Sequence, residues 1–295
     1  MNSILVSIII ATYRRQYELD RAIKSACSQT HPNCEIIVVD DNDNKKWNDS
    51  VKKIVSKYSS NNIRIIENHP NQGSAKTRNI GIQNCNGDYI TFLDDDDVFL
   101  PERVTEQLSQ MVKENGDYGI TNLFLYNEND ELVDKRIRNY ICNTDSNSLM
   151  KYHIMHHMTG TDTLMFHAPY LRKIGGFPEI DIGDEYYLME KAILEGGTIV
   201  VSDHCFVKAY VHTGATTGLS SGGKKIQGEN RLYEEKKKYF SILSKREIKY
   251  IKTRHHAVLA FAYVRDKNLI CFIKETFLAV LISPFNCWRI VKEHK

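Results

Sequence analysis

Residues 89–101, YITFLDDDDVFLP, run a short apolar segment directly into four consecutive aspartates. The apolar segment has the length and composition of a buried strand, and the aspartates follow its carboxyl end. Four neighbouring carboxylates repel one another at neutral pH unless a cation or hydrogen-bond donors offset their charge. The stretch therefore predicts a strand that ends in a ligand-binding turn.

The same arrangement recurs through the first hundred residues. Short runs rich in Ile and Val predict strands, each followed by polar residues, over 6–11, 35–40, 63–67 and 88–93. Apolar residues at helical spacing predict helices between them, over 17–28, 49–58 and 74–84. This alternation favours a doubly wound α/β domain with a mostly parallel sheet flanked by helices. Ligands in such sheets bind at the carboxyl ends of the strands.

The pattern changes after residue 100. A helix is expected over 102–115, a β-hairpin turning at 127–130, and another helix over 184–195, before a Gly-Gly pair. From residue 228 onward the spacing is helical. We therefore predict an α/β domain over 1–223 and a basic helical region over 224–295.

The composition indicates an ordinary globular protein, with 42% hydrophobic and 26% charged residues in 295. The apolar run near the N-terminus follows no basic residue and precedes no cleavage site, so we expect a first strand there and no secretory signal. Seven cysteines without a CxxC pair predict reduced thiols in a cytoplasmic protein, and argue against a zinc site or a disulfide framework.

The net charge of +2 is unevenly distributed. Residues 224–295 carry 17 Lys and Arg against 7 Asp and Glu, a net charge of +10, which leaves −8 on residues 1–223. A basic region favours anionic lipid or a polyanionic product, although a solvated helical surface explains it equally well. No nucleic-acid-binding motif accompanies the charge, so nucleic acid is not an expected partner.

Residues 269–285 carry apolar side chains on one helical face, but Lys274 and Glu275 interrupt the run and its length barely spans a bilayer. With Trp288 and its basic neighbours, the segment is typical of an amphipathic helix at a membrane interface. Packing on the protein's own helices or on a second subunit is the alternative.

Five segments, taken in order, resemble the family-2 glycosyltransferases with the GT-A fold, over roughly residues 4–215. They are SIIIATYRR (7–15), SQTHPNCEIIVVDDND (28–43), NQGSAKTRNIGI (71–82), GDYITFLDDDDVFLP (87–101) and IGGFPEIDIGDEYYLMEKAILEGG (174–197). The resemblance implies an inverting transfer of a sugar from a nucleotide diphosphate sugar, expected to be a UDP-sugar, to an acceptor hydroxyl. It also implies a nucleotide-sugar-binding half over 1–100 and an acceptor-side half over 101–223.

The acidic run would hold the metal of such an enzyme. Carboxylate oxygens suit Mg²⁺ or Mn²⁺ better than zinc, and a divalent cation stabilises the charge on a departing diphosphate. The resemblance assigns Asp96 to the metal, and Asp94 or Asp95 to the ribose and sugar of the donor. Asp97 is equally well explained as the cap of the helix expected near residue 101. His212 is a further candidate metal ligand, with a structural role as the alternative.

The loops after the first two strands would bind the donor nucleotide. The resemblance places Asp40 at the base, where it accepts a hydrogen bond from a uracil N–H, with Asp41 beside it. Tyr13 would pack on the base, next to Ala11 and Thr12. Asp and Asn also favour turns without any ligand, which is the alternative for this pair.

Residues 71–82 contribute three further candidates. Gly73 would permit a tight turn before a helix whose N-terminus attracts phosphate. Arg78 and Asn79 would either contact the nucleotide or tie loops together, and the residues alone do not separate these roles.

The catalytic base is expected at the start of the helix after Gly175-Gly176-Phe177. The family usually carries Glu-Asp there, whereas this chain has Asp184-Glu185. The resemblance makes Glu185 the general base, with Asp184 as the alternative, because either carboxylate can accept the acceptor's proton. Acidic residues also favour the first turn of any helix. Residues 159–162 would form an acceptor-side loop.

The expected activity is transfer to a glycan or lipid-linked saccharide in bacterial surface polysaccharide or glycolipid synthesis. The enzyme would be cytoplasmic, with peripheral membrane contact and a homo-oligomer both allowed. A nucleotidyltransferase is disfavoured because residues 11–21, ATYRRQYELDR, contain no glycine for a phosphate loop. A non-catalytic nucleotide-sugar-binding subunit is the alternative, since the reversed Asp184-Glu185 pair leaves the base open.

Overall fold

One mixed sheet of nine strands forms within the residues that a computed structural model describes, 1–180, 182–211 and 223–293. The strands are β1 (Val6–Thr12), β2 (Cys34–Asp40), β3 (Ile63–Glu67), β4 (Tyr89–Phe92), β5 (Val98–Phe99), β6 (Tyr118–Tyr126), β7 (Leu132–Arg136), β8 (Leu164–His167) and β9 (Ile199–Tyr210). Their order is β3-β2-β1-β4-β8-β6-β9-β5, and β7 pairs with β6.

The first four strands are parallel, as the sequence predicts. β1 lies between β2 and β4, and β3 pairs with β2. The register pairs Thr12 with Asp40, so β1 and β2 end at the same edge of the sheet. Beyond β4 the sheet is mixed, because β8 runs antiparallel to both β4 and β6 while β9 is parallel to β6. The predicted hairpin is confirmed in β6 and β7.

The helices flank this sheet or follow it in the chain. They are α1 (Tyr17–Cys27), α2 (Lys45–Ser56), α3 (Ser74–Asn84), α4 (Arg103–Lys113), α5 (Ser146–His156), α6 (Ala168–Lys173), α7 (Asp184–Leu194), α8 (Gly223–Lys237), α9 (Lys245–Arg265), α10 (Leu269–Ile282) and α11 (Pro284–Glu293). Helix α3 has the predicted bounds. Helix α2 begins four residues earlier than predicted, because the side chain of Asn44 caps it by accepting the Lys46 N–H at 2.9 Å.

The chain divides into two compact units. The first comprises Met1–Ser146 and Thr159–Thr213 and contains the whole sheet. Its core packs the Ile and Val side chains of β1 and β2 against buried residues of α1, α2 and α4. The second comprises Asn147–Met158 and Gly214–Lys295, and its described part is helical. The domain boundary at residue 223 stays a prediction, since spatial contacts do not establish which parts fold independently.

Candidate active site

The loop after β1 is fastened to the acidic run that follows β4. The Thr12 hydroxyl donates to Asp95 Oδ2 at 2.7 Å, and the Tyr13 N–H donates to the same oxygen at 3.2 Å. Ala11 is half-buried at the end of β1, one residue before these contacts. The ends of β1 and β4 therefore form one polar surface at the carboxyl edge of the parallel strands, where ligands bind in α/β sheets.

Two arginines of the first unit lie against the centre of the acidic run. Arg15 Nη2 lies 2.7 Å from Asp96 Oδ2, and its Nε lies 3.7 Å from Asp95 Oδ1. Arg21 donates to the main-chain carbonyl of Asp96 at 2.5 Å, and its guanidinium stands 3.7 Å from the ring centre of Tyr210. Part of the repulsion within the run is thus offset by the protein's own cations.

Arg78 joins the acidic run to the start of α7. Its Nη2 lies 2.6 Å from Asp94 Oδ1, and its Nη1 lies 2.9 Å from Asp184 Oδ2. The side chain is buried, and the two carboxylates raise its pKa against the effect of burial. Of the two roles left open by the sequence, tying loops together is the one that these contacts show.

Asp94, Asp97 and Asp162 form the one group among the described residues whose carboxylates are close enough to share a metal ion. One oxygen from each lies within 4.8 Å of the others. Asp162 also accepts the Asp94 N–H at 2.5 Å. Burial raises the pKa of Asp97 and of Asp162, and the charge of the neighbouring Asp94 raises both further, so each holds a proton more readily than a free aspartate does.

Asp96, the predicted metal ligand, lies outside this group and is paired with Arg15. The donor set is nevertheless suited to Mg²⁺ or Mn²⁺, because every candidate ligand atom among the described residues is a carboxylate oxygen. Burial, followed by the charge of the neighbouring Asp96, raises the pKa of Asp95 to about 7. His212 lies outside the described residues.

The prediction that Asp97 caps the following helix is wrong. Helix α4 starts at Arg103, with Glu102 at its N-cap position and no capping side chain. Asp97 instead accepts the Tyr210 N–H from β9 at 2.8 Å. The short strand β5 lies between Asp97 and α4 and pairs with β9. This pairing places Asp97 next to β9.

The two aspartates after β2 are occupied within the protein. Asp40 is fully buried; its Oδ1 accepts the N–H and side-chain amide of Asn42 at 3.0 and 2.7 Å, and its Oδ2 accepts the amide of Asn48 at 2.9 Å. A contact with the nucleotide base stays a prediction for Asp40, and the present contacts show it holding the loop after β2.

Asp41 fixes the turn that precedes α3. It accepts the N–H groups of Gln72 and Gly73, both at 2.9 Å, and the side-chain amide of Asn68 at 2.6 Å. Gly73 has φ +84°, a backbone conformation that favours glycine, and the tight turn there stays a prediction. Phosphate binding at the start of α3 stays a prediction.

Asn79 connects α3 to the Gly-Gly-Phe segment before α7. Its amide donates to the Phe177 carbonyl at 2.7 Å, and its carbonyl oxygen accepts the Phe177 N–H at 2.9 Å. Gly176 has φ +60°, and a Cβ there would stand 2.5 Å from Asn79 Oδ1. A glycine is therefore needed at this position, and Asn79 has a holding role.

The two candidate bases have different surroundings. Burial raises the pKa of Asp184, and the Arg78 guanidinium 2.9 Å away offsets only part of that rise. Glu185 is half-buried and accepts the Gly160 N–H at 2.8 Å, a contact with the predicted acceptor-side loop. Burial, followed by the charges of Asp184 and Asp94, raises the pKa of Glu185. A raised pKa suits a general base that works near neutral pH.

Sequence reasoning left Arg15 and Arg21 of this site without a role, and it placed Asp162 only in an acceptor-side loop. Four neighbouring aspartates need counter-charges, and this need could have pointed to the arginines. Arg15 lies in the segment between β1 and α1, at a strand end where such a counter-charge is expected. Asp162 offered no such signal, since it is 68 residues from Asp94 in the chain.

The sequence profile of glycosyl transferase family 2 matches residues 7–172, more than half of the chain. The chain belongs to this family. The Escherichia coli enzyme WfgD, a UDP-Glc:alpha-D-GlcNAc-diphosphoundecaprenol beta-1,3-glucosyltransferase, is 31% identical over 129 residues, which are 44% of this chain and 49% of WfgD. The chain spans between about a third and a half of the length of WfgD and of two Haemophilus influenzae glycosyltransferases that it matches.

Two solved structures are similar over most of this chain. The 1–349 fragment of S. aureus TarS in complex with UDP-GlcNAc superposes with a TM-score of 0.60 and 18% identity, covering 92% of this chain and 90% of that fragment. The mannosyltransferase PcManGT from Pyrobaculum calidifontis, in complex with GDP-Man and Mn²⁺, superposes with a TM-score of 0.60 and 14% identity, covering 96% and 87%. These similarities confirm the GT-A fold of the glycosyltransferase.

Proposed function

We propose that this glycosyltransferase moves a hexosyl or N-acetylhexosaminyl group from a UDP-sugar to an acceptor hydroxyl, with inversion at the anomeric carbon. The observation that carries the proposal is the Asp94–Arg78–Asp184 bridge, with contacts of 2.6 and 2.9 Å. It holds the acidic run after β4 beside the helix start that bears Glu185. Donor-side carboxylates and a candidate base thereby share one site.

Glu185 is the proposed general base. Its carboxylate takes the proton of the acceptor hydroxyl while the hydroxyl oxygen attacks the anomeric carbon. The bond from that carbon to the diphosphate oxygen breaks in the same step, and UDP leaves with the bonding electrons. A single displacement of this kind inverts the anomeric configuration. Arg78 holds Asp184 and the start of α7 in position through the 2.9 Å contact.

Asp96, whose side chain is partly exposed, is the proposed ligand of Mg²⁺ or Mn²⁺, with Asp94, Asp97 and Asp162 as the alternative set. A bound cation supplies positive charge that stabilises the departing diphosphate. The Mn²⁺ in the PcManGT complex supports this choice. Asp95, with Thr12 and Tyr13, is proposed to border the donor.

A lipid-linked saccharide or a glycan of a bacterial surface polysaccharide is the proposed acceptor. The diphosphoundecaprenol in the name of WfgD supports a lipid-linked acceptor, and the UDP-GlcNAc bound to TarS supports a UDP-sugar donor. We also propose a cytoplasmic location, where the seven free cysteines are expected to stay reduced.

A thermal-shift screen of UDP-, GDP- and TDP-sugars, each with Mn²⁺ and with a chelator, tests the donor. The proposal predicts that UDP-sugars raise the melting temperature only with the metal. A response confined to GDP- or TDP-sugars would contradict the donor assignment. Hydrolysis of the stabilising donor is then measured, because binding without any turnover favours the non-catalytic nucleotide-sugar-binding subunit instead.

A further inference from the structure

Helix α10, in the second unit, presents an apolar face to solvent. Six of its residues are 44% to 84% exposed: Leu269, Ile270, Ile273, Phe277, Val280 and Leu281. At about 100° per residue, these six positions fall within an arc of about 120°. Glu275 and Ala279 lie on the opposite side and are buried, and Glu275 Oε2 lies 2.7 Å from His256 Nδ1 of α9. One face of the helix is therefore buried against α9, and the opposite face is exposed.

Helix α11 continues the exposed apolar surface. Phe285 and Trp288 are 69% and 61% exposed, with ring centres 6.2 Å apart, whereas Ile290 is buried. No single helix in the described part of the chain is long and apolar enough to cross a membrane. The pair α10 and α11 passes that test only when joined, and it is bent by 116° at the break. A sharply bent helix pair with one exposed apolar face suits a position along a membrane interface better than a transmembrane span.

Exposed charge beside this surface is mostly positive. Arg265, Lys267, Lys274 and Arg289 are exposed, and Asp266 is the exposed acidic residue within 265–291. Lys274 falls about 20° beyond the edge of the apolar arc, where its ammonium can reach past the apolar side chains. Anionic lipid headgroups complement such a border. A symmetric dimer through the same face would bring like charges towards each other.

We propose that the exposed faces of α10 and α11 dock this chain on an anionic lipid bilayer. We name the eight residues of this surface the docking face: Leu269, Ile270, Ile273, Phe277, Val280, Leu281, Phe285 and Trp288. Its apolar side chains enter the boundary between headgroups and acyl chains, and the bordering Lys and Arg residues contact lipid phosphates. Trp288 lies at the headgroup level, where an amphipathic indole is favoured. Docking of this kind does not depend on the proposed sugar transfer.

Co-sedimentation of the full chain with vesicles tests the docking face. With equal parts phosphatidylcholine and phosphatidylglycerol we expect binding, which weakens about tenfold or more with phosphatidylcholine alone. Phe277→Asp should weaken binding to the anionic vesicles about tenfold, because it places a charge in the face. Leu194→Asp is the matched control, since Leu194 is equally exposed but belongs to α7 in the first unit, and it should bind as the unchanged chain does.

Trp288 reports insertion without any change to the docking face. The chain has two tryptophans, so Trp47→Phe leaves Trp288 as the sole emitter. Its emission should shift to shorter wavelength, and brominated lipids should quench it, when anionic vesicles are added. Absence of vesicle binding, equal loss in the Phe277→Asp and Leu194→Asp chains, or unshifted Trp288 emission would overturn the proposal. Self-association that Phe277→Asp abolishes, without vesicle binding, would assign the face to a second copy instead.

Discussion

Two runs of aspartate at the same edge of the sheet have different surroundings. Asp40 and Asp41, after β2, are at most 3% exposed, and their side chains accept hydrogen bonds from neighbouring loops. Asp94, Asp95 and Asp96, after β4, have side chains 33%, 14% and 19% exposed and lie against guanidinium groups. This comparison shows that position at a strand end does not decide the role of a carboxylate. N–H groups of nearby loops donate to the first run and are held by it, whereas the second run stays partly exposed beside arginines.

The largest expected effect is on catalysis at the residue next to the Arg78 bridge. Glu185→Gln should lower the turnover number by about 10² to 10⁴, because the general base is removed while the helix start is kept. Donor binding, measured by calorimetry, should persist. Glu195→Gln at the other end of α7 is the control, since Glu195 pairs with Lys173 at 2.5 Å on the surface. Full activity in Glu185→Gln would move the base to Asp184 or elsewhere.

The next largest effect is on stability, at the arginine that joins the second run to α7. Arg78→Met should lower the free energy of unfolding by about 3 kcal/mol, because Asp184 is left buried without its counter-charge. Urea denaturation measures this change. A loss below about 1 kcal/mol would mean that the bridge does not hold the site together.

The pH dependence of turnover should show the raised pKa of Glu185. A general base acts only when deprotonated, so the turnover number should fall about tenfold per pH unit below that pKa, and the fall should begin above the ordinary value of 4.5. The Glu185→Gln chain should lack this limb. The contribution of Glu185 to stability has the opposite pH dependence from turnover. A carboxyl whose pKa is raised by folding stabilises the fold at low pH and loses that contribution as pH rises through the raised pKa.

The smallest effect is expected at the exposed arginine of the second run. Arg15→Met should change the free energy of unfolding by less than about 1 kcal/mol, because the Arg15 side chain is 33% exposed and water screens its pair with Asp96. Urea denaturation beside the Arg78→Met chain makes the comparison direct. Equal losses in the two chains would remove the distinction between a buried bridge and a solvent-screened pair.

Local pattern in the sequence predicts the parallel half of the fold well. Helix α3 has its predicted bounds because Gly73 and the helical spacing after it are both local signals. The mixed half was not predicted strand by strand, since β8 has four residues and β5 has two. Runs that short acquire strand geometry from their partners in the sheet, which a local pattern does not encode.

The candidate site divides in the same way. Short local motifs contain the acidic run, Arg78 and Glu185, so they can be recognised from the sequence. The contact of Arg15 with Asp96, in contrast, joins residues 81 positions apart. The role of Asp97 was misjudged because its hydrogen-bond partner, Tyr210, is 113 positions away. Residue type indicates which chemistry is available, and long-range pairing decides which carboxylates remain free to perform it.

The most direct test measures Asp41→Asn and Asp96→Asn side by side, for melting temperature and for Mn²⁺-dependent binding of a UDP-sugar. Asp41→Asn should lower the melting temperature by roughly 4–8 °C, because an amide replaces an acceptor of buried N–H groups at a cost of about 2 kcal/mol. Asp96→Asn should melt within roughly 3 °C of the unchanged chain and lose metal-dependent donor binding. A stable Asp41→Asn chain, or an Asp96→Asn chain that binds the donor with Mn²⁺ normally, would contradict the division of the two aspartate runs into a holding pair and a ligand-binding run.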